Sequence, residues 1–460
     1  MELLGHSPDY SELSIDKRLQ SRAEKIAQSL LQGKTSSVHG VTAKESEQKA
    51  FYRFLGNEKV TEGILIDELT RRCGKNVQGR NVIVIQDSSS IGLSHRSNSI
   101  KPDTGLGIVG NKTGLGFLAH VSLVLDEKRE TMLGFSDVKL WHRTEDKSNN
   151  TTGKYKKQPI AEKESYKWIQ ASDRSKDCLR DAAQITIIED REGDIYEQFC
   201  LVPDERTQLI IRSRDNRALA EGGRLHQALS EQASLGEHDI IEYGDIRKGK
   251  VKRKVTLEIR VREVIIKKPK QCKNKDLPTQ LTVYVVEAKE KGKPNGICWR
   301  LITTKKTETF EEAHEIVGKY KLRWYIEQLF RLLKKKGYDI ESTELESGWS
   351  IRKLFVMVLN AALRVMQLYL SYENEDSQNI SEVFEGEEIK CLRSIEAKLH
   401  KTDKTANPYN PEKLVWATWI IARLGGWKGN AKQRRAGPII IKRGLDIFEN
   451  MFEGWKLHNE

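Results

Sequence analysis

The chain reads as a mixed α/β protein with helical segments at both ends, and three patterns carry that expectation. Short continuous apolar runs at Val82–Gln86 and Ile185–Ile188 have the length and β-branched content of buried strands, and each ends at acid: Asp87 in one case, Glu189-Asp190 in the other. Longer strand candidates lie at Phe117–Leu125 and Thr131–Trp141. Apolar residues recur at helical spacing over residues 14–75 and again beyond about 345.

Residues 14–75 resolve into three short helices. Leu19, Ala23, Ile26, Ala27, Leu30 and Leu31 share one face of the first; Phe51, Tyr52 and Phe54 mark the second; the third starts at a Thr61 N-cap. A helical unit ahead of an enzyme-like body suits docking on DNA. The strands at 82–86, 117–125 and 131–141 follow, the latter two suggesting an antiparallel meander. A polar loop with Asn149, Asn150 and Gly153 leads to a helix around Glu162–Asp181, then the strand at 185–188, a brief helix at Asp194–Cys200 and a strand at Gln208–Arg212. After a β-rich stretch of about 215–305 comes one long helix over 308–336. Strand-strand-strand-helix-strand-helix-strand, then a helix, is the order of a ribonuclease-H-like α/β domain. The division expected is a helical domain (1–75), a ribonuclease-H-like domain (76–345) with a β-rich insertion at about 215–305, and a helical C-terminal domain (346–460).

Composition removes several classes. The six cysteines are scattered, with no C-x-x-C pair, and read as reduced thiols rather than a disulfide framework or a zinc site. No signal peptide is read at the start, and the apolar run Leu354–Leu370 is interrupted by Asn360, Arg364 and Gln367, so a buried or interface helix is expected rather than a membrane span. Gly105-Leu106-Gly107-Ile108-Val109-Gly110 matches G-x-G-x-x-G but opens no helix, so no dinucleotide site is expected. No P-loop is present. His120 sits among apolar strand residues and reads as structural; Asp194, at the start of a helix, reads as its cap.

The net charge of +12 is localised: Arg247–Lys275 holds 13 Lys and Arg against 2 Glu, whereas residues 1–75 are nearly balanced. Val251–Arg262 alternates as a strand does, and a basic β-ribbon of this kind is an electrostatic footprint for a polyanion.

The chemistry concentrates in Tyr320-x-x-Arg323-x-x-x-Glu327-x6-Lys334. On a helix these positions fall along one face, presenting an aromatic hydroxyl, two cations and a carboxylate. Arg323 and Lys334 suit phosphates and Glu327 suits a metal. Phosphodiester cleavage without a covalent intermediate needs the attacking and leaving oxygens stabilised, which two Mg²⁺ about 4 Å apart supply. Hard cations take oxygen ligands, so carboxylates on rigid elements are required. Asp87 and Asp190 end strands that this strand order makes neighbours, and Glu327 from the late helix completes the set.

With those residues in view, the chain resembles DDE transposases of the insertion-sequence-four family, the group that includes the transposon-five transposase. The Tyr320, Arg323, Glu327 and Lys334 signature matches with its spacing, as do Gln86-Asp87-Ser88-Ser89, Glu164-Ser165-x-Lys167-Trp168, Asp190-Arg191-Glu192-Gly193-Asp194-Ile195 and Arg212-Ser213. Tyr52-Arg53-Phe54 resembles the family's end-binding region, and Trp419–Trp427 resembles its tail, so the likeness covers nearly the whole chain. The resemblance implies that Asp87, Asp190 and Glu327 hold Mg²⁺, with Mn²⁺ as a substitute, and that Tyr320, Arg323, Lys334 and Arg212 contact phosphates. Trp299, assisted by Trp324, would stack a base flipped out of a hairpin intermediate, which recovers about 1–3 kcal/mol. It further implies double-stranded DNA as partner (terminal inverted repeats and target), a homodimer in the synaptic complex with the Leu354–Leu370 face as candidate contact, no membrane and no ATP. The implied location is the bacterial cytoplasm, associated with the nucleoid. From the residues alone two alternatives stay open, a ribonuclease-H-like nuclease without strand transfer and a catalytically silent DNA-binding inhibitor of transposition.

Overall fold

The computed structural model describes residues 8–32, 44–102, 104–110, 114–128, 131–144, 158–242, 253–334, 337–372, 374–375, 378–402, 406–429 and 435–459. The loop with Asn149, Asn150 and Gly153 and the Arg247–Lys252 part of the basic ribbon lie outside them.

Ten strands build one mixed sheet: β1 (Asn81–Gly92), β2 (Gly107–Val109), β3 (Gly114–Asp126), β4 (Met132–Trp141), β5 (Gln184–Glu189), β6 (Thr207–Arg212), β7 (Gly236–Glu242), β8 (Arg253–Lys267), β9 (Gln280–Glu290) and β10 (Cys298–Thr303). The order across the sheet is β2-β3-β1-β5-β6-β10-β9-β8-β7, with β4 also on β3. Only β1, β5 and β6 pair in parallel. These three are apolar on both faces because helices cover both. Ile83, Ile85, Ile188 and Ile210 belong to one core; Val82, Val84, Ile187 and Ile211 belong to the other. The β-rich stretch after β6 is continuous with this sheet, since β10 pairs antiparallel with β6.

The helices before the sheet are α1 (Lys17–Gln32), α2 (Glu45–Leu55) and α3 (Glu62–Lys75). Thr61 caps α3, its hydroxyl accepting the Ile64 N–H. Within and after the sheet come α4 (Tyr166–Cys178), α5 (Tyr196–Leu201), α6 (Leu225–Ser230), α7 (Phe310–Lys321), α8 (Trp324–Leu333), α9 (Gly348–Leu370), α10 (Gly386–Thr402), α11 (Leu414–Leu424) and α12 (Pro438–Asn459). Helices α4 to α6 cover the Val82 face; the rest cover the Ile83 face.

Helix α9 organises that second layer. It is long and apolar enough to cross a membrane, yet nearly all of it is buried against α1, α2, α3, α8, α11, α12 and β4. Its buried polar side chains find partners inside the chain, although Arg364 Nε and Gln367 Nε2 are left without one. Asn360 accepts from Arg72 on α3, Gln367 accepts the Met132 N–H at 3.0 Å, and Arg364 reaches Glu388 on α10 at 2.6 Å and Glu449 on α12 at 2.9 Å. Lys353 donates to the carbonyls of Leu55 (3.0 Å) and Asn57 (2.8 Å), a cation placed at the carbonyl end of α2. The expectation that the Leu354–Leu370 face pairs two copies is therefore corrected, because this face is already the core that joins the N-terminal helices to the sheet.

Four further expectations change. The helix expected over 308–336 is two helices, because i→i+3 hydrogen bonds from Leu322 and Arg323 back to Lys319 and Tyr320 tighten the backbone between α7 and α8. Asp87 lies within β1 rather than at its end, since antiparallel pairing with β3 carries the strand on to Gly92. On the strand part of the ribbon the described cations are paired with carboxylates, whereas Lys267, Lys270, Lys273 and Lys275 beyond it stay exposed. Arg253 pairs with Glu290, Lys254 with Asp239, Arg260 with Glu258 and Glu287, and Arg262 with Glu221. Neighbouring strands and the Glu221 turn supply the opposite charges, which is how a sheet neutralises itself. Asp194 does not cap α5, where Ile195 holds the cap position. Its buried carboxylate instead accepts the N–H groups of Arg214 (2.8 Å) and Asp215 (3.2 Å) and pairs with Arg217.

Close helix crossing fixes the tail. A side chain at Gly444 would meet the Ile421 carbonyl, so α11 and α12 approach nearer than any larger residue allows.

Candidate active site

The period-two alternation of strands decides which side chains meet. In the parallel β1–β5 ladder the last pair is Ile85 with Ile188, so Asp87 and Asp190 each stand two residues beyond the same rung. Both therefore project to the face that carries α7 to α9, at matched levels on adjacent chain segments about 4.8 Å apart. Asp190 also accepts the Glu192 N–H at 2.8 Å, starting a single helical turn, Arg191–Gly193.

The α7–α8 segment delivers the remaining groups. A capping box at Thr309 and Glu312 fixes the start of α7. After the tightened turn, Arg323 and Glu327 stand at i and i+4 on the side facing β1. The Arg323 guanidinium lies 3.2 Å from Asp87 Oδ2 and simultaneously bonds Glu327 Oε1, so it bridges two of the three carboxylates. Lys334, at the C-terminal cap of α8, donates to Ser89 Oγ at 2.7 Å, one strand repeat beyond Asp87 on the same face.

Tyr320 is buried below this group, with the Arg323 guanidinium 6.0 Å from its ring centre. Trp299 on β10 meets Tyr320 edge-on, ring centres 6.1 Å apart, and is half-buried. Arg212, at the end of β6, donates to the Cys298 carbonyl at 3.3 Å and lowers the tendency of burial to hold the Tyr320 phenol up. Asp87, Asp190, Glu327, Arg323, Tyr320, Trp299, Arg212 and Lys334 thus share one region of the molecule. Trp324 does not join them. It is half exposed and lines a separate cavity of about 420 Å³ with Lys319, Lys321, Tyr325 and Tyr369.

Electrostatics tests whether the carboxylates suit a cation. Burial raises the Asp87 carboxyl to about 7; the Asp190 and Glu327 charges push in the same direction, while the Ser88 N–H and Arg323 oppose them. A buried Asp87 raised by two neighbouring carboxylates belongs to a set of hard oxygen donors short of positive charge, which is what a divalent cation relieves. Arg323 supplies part of that charge. Among the described residues no three His, Cys, Asp or Glu side chains are gathered at metal-ligand distance, and the Arg323 guanidinium lies between Asp87 and Glu327. The donor chemistry fits a divalent cation.

Sequence reasoning missed the polar layer on the opposite face of the same strands. Gln86 and Ser88 alternate with Asp87, and Glu189 precedes Asp190, so all three project toward α4 and α5. There Ser88 Oγ lies 2.8 Å from His120 Nδ1, His120 Nε2 3.4 Å from Gln86 Oε1, and Gln86 Nε2 3.2 Å from Ser172 Oγ on α4. Gln198 on α5 donates to Ser172 Oγ at 3.0 Å and to Glu189. The available signal was a switch from Val and Ile to Gln, Ser and Glu at strand positions whose alternation points inward. His120 is structural as expected, fully buried and edge-on to Trp168 at 4.7 Å.

Two family models match this chain. Residues 12–60 match the transposase DNA-binding model, and residues 135–364, half of the chain, match the transposase DDE domain model. The chain belongs to the DDE transposase family, and so is an enzyme class that acts on DNA and generally uses divalent metal ions. Among solved structures it is similar to one described as a cryo-EM structure of the piggyBac transposase synaptic complex with hairpin DNA. That likeness covers 81% of this chain and 74% of that one at 10% identity, with a TM-score of 0.39.

Proposed function

We propose that this chain is a cut-and-paste DNA transposase of the insertion-sequence-four type, acting through a hairpin intermediate and joining 3′ ends to target DNA. The observation that carries the reading is Arg323 held between Asp87 and Glu327, with Asp190 at the matched level on the next strand. The order β4-β3-β1-β5-β6, with its parallel centre, supports a ribonuclease-H-like layout for residues 76–345. Residues 1–75 are assigned to end binding and 346–460 to closing the fold around α9 and pairing two subunits.

Asp87, Asp190 and Glu327 would hold Mg²⁺ or Mn²⁺, whose chemistry when bound is to stabilise the attacking and leaving oxygens at phosphorus. Arg323, Lys334 and Arg212 ring the carboxylates with cations suited to the phosphates of the element end. Tyr320 seats Arg323 from below, and Trp299 offers its face to a base forced out by a tight hairpin. Each step exchanges one P–O bond for another. Water opens one phosphodiester, leaving a 3′-hydroxyl and a 5′-phosphate; that hydroxyl attacks a phosphodiester of the opposite strand and releases the flanking 3′-hydroxyl, and water reopens the hairpin to a 3′-hydroxyl and a 5′-phosphate. The 3′-hydroxyl then displaces an oxygen in the target, so no ATP is needed.

Incubation of the protein with an end duplex and a supercoiled target in Mg²⁺ is expected to yield nicked, hairpinned and joined products on a denaturing gel. Cleavage with no joined product would leave a nuclease; no cleavage and no metal uptake would leave a DNA-binding inhibitor.

A pH dependence follows from Asp87. A carboxyl raised to about 7 is mostly protonated at pH 6 and mostly ionised at pH 8, and the proton must leave before the oxygen can serve as a ligand. Mn²⁺ affinity is therefore expected to rise about tenfold from pH 6 to pH 8, with proton release visible by calorimetry in buffers of different ionisation enthalpy. A flat profile would remove Asp87 from the ligand set.

A further inference from the structure

We propose that the buried chain Ser88–His120–Gln86–Ser172–Gln198–Glu189 is a positioning relay that sets the spacing of Asp87 and Asp190, with Ser172 as its hub. The proposal rests on the reading of those two aspartates as metal ligands.

Three observations carry it. First, the β1–β5 backbone ladder ends at Ile85 with Ile188, one strand repeat before the aspartates. Beyond that rung no backbone pairing between the two strands fixes the gap that two carboxylates must keep around a cation. Second, the relay spans the strands at this level. Ser88 and Gln86 flank Asp87 on β1, Glu189 precedes Asp190 on β5, and Ser172 ties the two halves together from α4. Below it on the same face the side chains are Val82, Val84, Ile185 and Ile187, so the polar residues begin where the ladder ends.

Third, the hydrogen bonds form one directed series. Gln86 Oε1 can only accept, which puts the proton of the neutral imidazole on His120 Nε2 and leaves Nδ1 to accept from the Ser88 hydroxyl. Gln86 Nε2 donates to Ser172 Oγ, which also accepts from Gln198 Nε2 and spends its own proton on the Trp168 carbonyl at 2.9 Å. The second hydrogen on Gln198 Nε2 goes to Glu189. The Ser172 hydroxyl is thus saturated. Gln86, His120, Ser172, Gln198 and Glu189 are all fully buried and each is hydrogen-bonded within the series, with Gln198 Oε1 and Glu189 Oε2 the two oxygens it leaves without a partner. The Glu189 end is clamped as well, because a side chain at Gly193 would strike its carboxylate, so the turn that follows Asp190 is seated on the relay.

The test measures Mn²⁺ uptake by calorimetry on the full chain without DNA, beside thermal unfolding. Ser172→Ala is expected to weaken Mn²⁺ binding about tenfold, as loss of a group supporting metal ligands does, with the melting temperature within a few degrees of the parent. Gln86→Leu and Gln198→Leu, on opposite sides of Ser172, are each expected to weaken binding similarly and the double variant no further, because either cut opens the same chain. Ser172→Thr, which keeps the hydroxyl, is expected to recover most of the affinity. Unchanged Mn²⁺ affinity in Ser172→Ala overturns the relay, as does an additive double variant, which would mean two separate packing defects. Asp87→Ala serves as the control. If the parent shows no uptake that this variant removes, the metal assignment itself fails and takes the relay with it.

Discussion

Asp87→Ala is expected to lose strand cleavage by about 10³-fold or more while binding element ends as the parent does. The carboxylate lies at the level of Asp190 on the next strand and is bridged through Arg323 to Glu327, so its removal takes one of three oxygen donors from the proposed metal site. The fold has little to lose. Burial and two neighbouring carboxylates already disfavour charge at position 87, and Arg323 keeps its bond to Glu327. The apo variant is expected to unfold at the same temperature as the parent or slightly higher, which separates a chemical defect from a folding one. A gel of nicked ends in Mg²⁺ beside a mobility-shift assay reads both quantities. Retained nicking would sink the metal assignment.

Arg364→Ala is expected to destabilise the protein by about 3–5 kcal/mol, read as a lower urea midpoint. Arg364 is nine-tenths buried and holds Glu388 and Glu449, carboxylates on two different helices, with its guanidinium also 5.0 Å from the Phe384 ring centre. Truncation strands two buried acids, one of which burial already raises above the ordinary carboxylate range. Replacing the trio together, Arg364→Leu with Glu388→Leu and Glu449→Leu, is expected to recover most of the loss, since a buried ion cluster contributes little beyond well-packed apolar residues. A loss below about 1 kcal/mol in Arg364→Ala would mean that water reaches the carboxylates.

How far the sequence could be read depended on how local each feature is. Apolar runs located β1 and β5, Thr61 announced α3, and the spacing from Tyr320 to Lys334 identified the segment that faces Asp87. The break between α7 and α8 was illegible because no Pro or Gly marks it; Leu322 and Arg323 keep helical dihedrals and only the bonding register tightens. The pairing of the ribbon's strand cations was illegible because Glu221, Asp239, Glu287 and Glu290 are distant in sequence and adjacent only in the sheet. The same holds for Leu354–Leu370: an apolar helix face reads identically whether a second copy or the chain's own α3 and α12 cover it.

By itself the sequence determined the apolar runs that become β1 and β5, the acids that follow those runs, the signature on the late helices and the family those residues resemble, because each is written in residue type and short spacing. Tertiary structure alone decided that Arg323 stands between Asp87 and Glu327, that Trp324 faces another cavity, and that a polar chain links the rear of both aspartate-bearing strands. Those outcomes depend on strand register and on which helix covers which face. Register and cover are set by the packing of segments far apart in the chain, which no local pattern encodes.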